Sequence, residues 1–133
     1  MPSAWERIVP GTPIILIVEH EPPPSNVHEL SCGTGAYFKL TASGEEAITL
    51  LANGSHPALV TDIRLGGAID GWALARQART IDPAFPIIYT TAAAASEWPV
   101  QGVPNSILLQ KPFVTSKLVT ALCHVLHAGV LPA

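Results

Sequence analysis

Short, unbroken apolar runs alternate along this chain with longer stretches in which apolar residues recur every three or four positions. Pro13-Ile-Ile-Leu-Ile-Val18 is apolar throughout, the mark of a strand buried on both faces. It stops at Glu19-His20-Glu21, and Pro22-Pro23-Pro24 follows, tolerable only before or within a first helical turn. Ser25 is a candidate cap for a helix with Val27 and Leu30 on one face. Gly33 and Gly35 predict that this helix stops after about two turns. Ala36 to Thr41 reads as a second strand. Ser43-Gly44-Glu45-Glu46 is a capping box that opens a helix through Ala47, Leu50 and Leu51, ended by Asn53-Gly54. A third strand runs from Ala58 to Asp62. Asp70-Gly71 caps a helix over Trp72 to Thr80, with Leu74, Ala75 and Ala78 turned inward. Asp82-Pro83 and Pro86 frame a fourth strand, Ile87 to Thr91. Alanines 92–95 can start a helix that Pro99, Gly102 and Pro104 keep short. Ile107 to Gln110 is the fifth strand, and Leu118, Val119, Leu122, Val125 and Leu126 form the stripe of a last helix.

Strand then helix, five times over with short connections, predicts an α/β fold: a five-stranded, doubly wound parallel sheet with helices on both faces. Residues 1–12 read as a leader and 13–130 as one domain, which 133 residues suit. The chain ends soon after the last helix, so no attached further domain is expected. With 48% apolar and 13% charged residues a core can form. A net charge of −3 without any basic run argues against direct contact with nucleic acid or an anionic membrane. Apolar runs fall far short of the roughly 20 residues that cross a bilayer, and residues 1–12 lack a secretory pattern. A cytoplasmic protein is expected, with Cys32 and Cys123 as reduced thiols.

The chemistry gathers at three strand ends. Asp62 ends the third strand, Thr91 the fourth, and Lys111-Pro112-Phe113 follows the fifth. In such sheets the carboxyl ends of the strands face the ligand crevice. A carboxylate, a hydroxyl and an ammonium brought together there suit the handling of a phosphoryl group.

Taken in order and at their spacing, these residues resemble the receiver domain of two-component response regulators, the CheY-like fold. The resemblance covers about residues 13 to 128. It rests on the acidic end of the first strand, Thr61-Asp62-Ile63-Arg64-Leu65 with Asp70-Gly71, the Thr91-Ala92 pair, and Lys111-Pro112-Phe113. The stretches GEEAI, TDIRL and DGWALAR look especially like receivers of alphaproteobacterial sensor systems.

The resemblance implies a signalling module, not an enzyme. Asp62 would be the phosphoacceptor, with a carboxylate oxygen attacking the phosphoryl group. Lys111 would set its ammonium against the phosphoryl oxygens, beside a proline bond that is often cis. Thr91 would hydrogen-bond the new phosphoryl group, with the Ala92 amide beside it; Thr90, just before, blurs that assignment. Arg64 and Ala93 match positions that tune hydrolysis of the acyl phosphate, and Arg64 could pair with Glu19, shield the phosphoryl group, or stand solvated. Leu108 matches a position where many members carry an aromatic that swings inward, which leucine cannot do in the same way. The implied metal is Mg²⁺, held by Asp62, Glu19 through water, the carbonyl of Arg64 and the position of His20. Family members usually have a second carboxylate where this chain has His20. Mg²⁺ prefers oxygen ligands, so weak binding is expected, with Mn²⁺ tolerated. The implied partners are a sensor histidine kinase or histidine phosphotransfer protein and a downstream protein target, and a homodimer is left open.

A degenerate receiver is the competing reading: the same fold acting as a phosphorylation-independent protein-binding module, as His20, Leu108 and the weak first helix suggest. An aspartyl phosphatase of the haloacid dehalogenase type would want a carboxylate two residues after the nucleophile, where Arg64 stands. A flavin module would want a Ser/Thr/Gly cradle after the first strand, where the prolines stand. The histidine substitution yields a first expectation. His20→Asp strengthens Mg²⁺ binding in a metal titration, and unchanged affinity would show that another group already fills the position.

Overall fold

In the computed structural model, which describes residues 14–19 and 27–127, five parallel strands form one sheet. They are β1 (Ile14–Val18), β2 (Tyr37–Thr41), β3 (Leu59–Asp62), β4 (Ile87–Thr91) and β5 (Ile107–Gln110). The helices are α1 (Val27–Thr34), α2 (Gly44–Asn53), α3 (Gly71–Ile81), α4 (Trp98–Gln101) and α5 (Thr115–His127), with a 3-10 turn, Ala95–Glu97, before α4. The spatial order is β2-β1-β3-β4-β5, so the winding direction reverses between β1 and β3. That reversal opens a crevice at the carboxyl ends of those strands.

The unbroken apolar runs follow from burial on both faces. Leu16, Val18, Leu59, Ile87 and Tyr89 pack with α2 and α3, through Ala47, Leu51, Trp72, Leu74, Ala75 and Ala78. Their alternating neighbours Ile15, Ile17, Val60, Ile88 and Leu109 pack with α1 and α5, through Leu30, Leu118, Ala121, Leu122 and Val125. Each fully buried large side chain contributes about 1.5–3 kcal/mol. Trp72 lies tilted against Tyr89 with ring centroids 4.7 Å apart, a geometry that adds about 1 kcal/mol.

The helix starts follow the predicted chemistry. Ser43 accepts from the Glu46 amide at 3.1 Å, and Asp70 from the Ala73 amide at 2.8 Å. β4 and β5 have the predicted limits, while β2 and β3 each begin one residue later than expected. α1 stops after about two turns and the helix near Pro99 is short, both as expected, with differences only in detail. Gly33 does not end α1 but lies inside it, facing α5, where an added Cβ would come within 2.7 Å of Val119 Cγ1. The helix stops instead at Gly35, whose φ of 71° is left-handed. Alanines 92–94 precede the 3-10 turn, and the α4 that follows, with Pro99 in its first turn, is only four residues long. The expectations for the leader 1–12, the prolines 22–24 and Ser25 lie outside the described residues.

One glycine fixes the height of α3 against β3. The Gly71 amide donates to the Ile63 carbonyl at 2.7 Å. A Cβ at Gly71 would fall on the Asp62 carbonyl oxygen and lie 2.8 Å from Ile63 Cα. Backbone cannot swing aside as a side chain can. Gly71→Ala is therefore expected to lose about 3 kcal/mol in urea denaturation, at the upper end of overpacking costs. A midpoint equal to the wild type would show that α3 shifts freely.

Candidate functional site

β3 ends in Asp62, whose side chain is only 9% exposed. A carboxylate so placed needs donors. Two come from the next two strands. β4 pairs Thr90 with Asp62, and the Thr90 hydroxyl donates to Asp62 Oδ1. Beyond β5 the chain stays tied to β4, with the Lys111 amide donating to the Thr91 carbonyl at 2.7 Å. This holds the Lys111 ammonium 2.9 Å from the same Asp62 Oδ1. The Lys111–Pro112 peptide is cis, as the resemblance implied.

The hydroxyl that meets the acid belongs to Thr90 rather than to Thr91. Thr91 Oγ1 faces the turn after β4, accepting from the Ala93 amide at 3.2 Å and the Ala94 amide at 2.9 Å. Thr90, which in the sequence only blurs the assignment of Thr91, makes the contact with Asp62. The physical reason is the two-residue period of a strand. Val60 and Ile88 share the core under α1 and α5, and Asp62 and Thr90 each follow two residues later. The sequence contained that parity, but only the β3–β4 register makes the two residues neighbours.

A pocket of about 280 Å³ opens over the acid, with Asp62, Arg64, Thr90, Thr91, Ala92 and Lys111 in its lining. Asp62, Lys111, Thr91, Ala92 and Arg64, chosen from the sequence, are thus brought together. The Arg64 side chain is 75% exposed and reaches Glu97 at 4.0 Å, the solvated alternative, in a pair worth little. Glu19 follows β1, and its amide donates to the Thr41 carbonyl at 3.0 Å. Val18, the last residue of β1, pairs with Thr61, so Glu19 follows β1 next to the end of β3. His20 and Glu21 lie outside the described residues. Among the described residues no cluster of three or more His, Cys, Asp or Glu forms a metal site. Mg²⁺ needs less from protein: it commonly uses one or two carboxylates, with water and phosphate oxygens completing its shell. Asp62 supplies one such carboxylate at the pocket, and Glu19 follows the neighbouring strand.

Leu108 is half-buried against the core under α2 and α3, and its partner on β4 is Tyr89. Tyr89 is fully buried, and its hydroxyl accepts from the Val103 amide at 3.1 Å. Sequence reasoning gave Tyr89 no role beyond strand formation. Burial pushes its phenol above the ordinary range; the Val103 amide, Arg76 and Arg79 pull it down less strongly, and Asp70 adds to the rise.

Solved structures similar to this chain follow it nearly end to end. A response regulator receiver protein from Sinorhizobium medicae is 37% identical, with 89% of this chain and 97% of that one covered and a TM-score of 0.78. The receiver domain of a Pseudomonas aeruginosa sensor histidine kinase, solved with a magnesium ion coordinated in its active-site cleft, is 25% identical. It covers 86% of this chain and 98% of its own, with a TM-score of 0.69. The Vibrio cholerae chemotaxis protein CheY4 shares the fold at 21% identity, with coverage of 86% and 98% and a TM-score of 0.71. No protein-family model matches the sequence, and no curated protein matches it.

The buried phenol makes a prediction at high pH. The folded state holds Tyr89 neutral above the pH at which the unfolded chain ionises it. Its contribution is therefore complete below the ordinary phenol value and is lost as pH rises through the raised one. Tyr89→Phe leaves the Val103 amide unpaired and lowers stability near neutral pH by about 1 kcal/mol. Its stability then falls less steeply than the wild type between about pH 9 and 11. Parallel alkaline slopes in urea denaturation would overturn the assignment.

Proposed function

The chain belongs to the response-regulator receiver family, and from that membership we propose that it is a stand-alone phosphoacceptor module whose acceptor is Asp62. The observation that supports this most is the Lys111 ammonium 2.9 Å from a buried Asp62 at the floor of an open pocket. The donor is a phosphohistidine on a sensor histidine kinase or phosphotransfer protein. An Asp62 carboxylate oxygen attacks phosphorus, the new O–P bond forms, and the N–P bond breaks with its electron pair leaving on the imidazole. Lys111 offsets the charge that accumulates on the phosphoryl oxygens. Thr91 and Ala92 line the pocket, and the Thr91 hydroxyl and Ala92 amide would meet the transferred group there.

Mg²⁺ would be held by Asp62, by Glu19 through water and by the carbonyl of Arg64, with His20 standing in sequence where the family usually has a second carboxylate. When bound, it supplies positive charge against the phosphoryl oxygens. The module relays a phosphoryl group and turns over no substrate of its own beyond the loss of that group. Its output is a change in a surface read by a downstream protein. No helix among the described residues is long and apolar enough to cross a membrane, and a cytoplasmic setting suits the kinase partner.

Two residues favour the second reading, a receiver that binds partners without phosphorylation. His20 replaces a carboxylate, and Leu108 replaces the usual aromatic. Intact-mass spectrometry after incubation with acetyl phosphate, with Mg²⁺ or Mn²⁺, separates the two. The expected result is an alkali-labile gain of one phosphoryl group that Asp62→Asn abolishes. A wild type that gains nothing with either metal overturns the phosphoacceptor reading in favour of the binding module.

A further inference from the structure

We infer that Thr90 is a positioning residue that, together with Lys111, ties down one oxygen of Asp62 and presents the other, Oδ2, as the attacking atom. This rests on the phosphoacceptor reading of Asp62. Three observations carry it. Thr90 is 1% exposed and directly paired with Asp62 across the β3–β4 ladder, so its hydroxyl has a fixed origin beside the acid. Its proton goes to Oδ1, the oxygen that the Lys111 ammonium also meets. The neighbouring hydroxyl, on Thr91, is turned to the amides of Ala93 and Ala94, on the opposite face of the strand from Thr90.

Two donors from two strands on one oxygen fix the carboxylate plane. A carboxylate held by one flexible ammonium alone can rotate about its last bond, because that torsion is broad and roughly two-fold. With Thr90 in place, the two oxygens are no longer equivalent. Oδ2 attacks phosphorus and the Oδ2–P bond forms. With acetyl phosphate as donor, the P–O bond to acetate breaks and acetate leaves with the electron pair. Oδ1 becomes the carbonyl oxygen of the acyl phosphate, still facing the Thr90 hydroxyl, and no proton changes hands. Such orientation acts on the reacting step and leaves donor binding alone.

The test compares wild type, Thr90→Val, Thr90→Ser and Asp62→Asn, each labelled with acetyl phosphate and Mg²⁺ or Mn²⁺ across a range of donor concentrations. Valine keeps the branched shape that suits a buried strand but removes the hydroxyl. Far-ultraviolet circular dichroism and tryptophan emission report whether each variant keeps the native core. The expected result is a maximal labelling rate roughly tenfold lower in Thr90→Val, at an unchanged half-saturating donor concentration. Thr90→Ser, which restores the hydroxyl, recovers most of that rate. Equal rates in wild type and Thr90→Val overturn the positioning role and leave Asp62 as the acceptor. Serine and valine variants that are slowed alike also overturn it, because shape and not the hydroxyl then matters. A folded wild type without label in either metal overturns the phosphoacceptor reading, and the positioning role with it.

Discussion

A carboxylate more than nine-tenths buried at the end of an apolar strand is the constraint that the rest of this molecule answers to. Left without donors, such a group costs several kcal/mol. The donors come from the two strands stacked beyond it, Thr90 on β4 and Lys111 just past β5. The site therefore exists only while the β3–β4–β5 register holds. A one-residue slip of β4 would set Thr91 beside Asp62 and turn Ile87 and Tyr89 into the wrong core layer. The two hydrophobic layers oppose that slip, so the apolar core is what keeps the polar site assembled.

The loop after Asp62 is constrained from two sides. Gly71 lets α3 approach until its first turn touches the Asp62 and Ile63 backbone. Across the loop, Glu45 at the start of α2 accepts from the Ile69 amide at 3.2 Å. Gly67 lies so close to that carboxylate that a Cβ would come within 2.9 Å of Glu45 Oε2. The segment from Ile63 to Asp70 is thus fastened to both α2 and α3. Arg64, which lines the pocket over Asp62, stands on a braced support although its own side chain is solvated.

What the sequence disclosed was whatever depends on neighbours along the chain. Proline brackets and buried runs gave the limits of β4 and β5, and side-chain caps gave the starts of α2 and α3. The convergence of Asp62 and Lys111 was legible too, because strand ends in a doubly wound sheet share one crevice. Thr90 was not, because two adjacent threonines differ only in which face they take, and the face matters only once a register is known. At the end of α1 the stop at Gly35 was legible, and the role of Gly33 was not, for a related reason. A glycine followed by Thr34 and Gly35 looks like a helix stop, and only the approach of Val119 on α5 shows why a side chain is excluded there.

The same logic bears on how the site connects to α4. That helix has four residues and buries none of them, so it has little hold of its own on the core. Both flanks are fastened to β4 through hydroxyls. Thr91 Oγ1 receives the amides of Ala93 and Ala94 ahead of the 3-10 turn, and the Tyr89 hydroxyl receives the amide of Val103 just past α4. Trp98 adds a third tie, donating to Ser106 Oγ at 3.0 Å. The aromatic at this level of the sheet stands on β4, beside Leu108. It is fully buried, tilted against Trp72 and hydrogen-bonded to the Val103 amide. The end of β4 beside Asp62 is thus tied to both flanks of α4 by these two hydroxyls, and Leu108 has no ring to add to them.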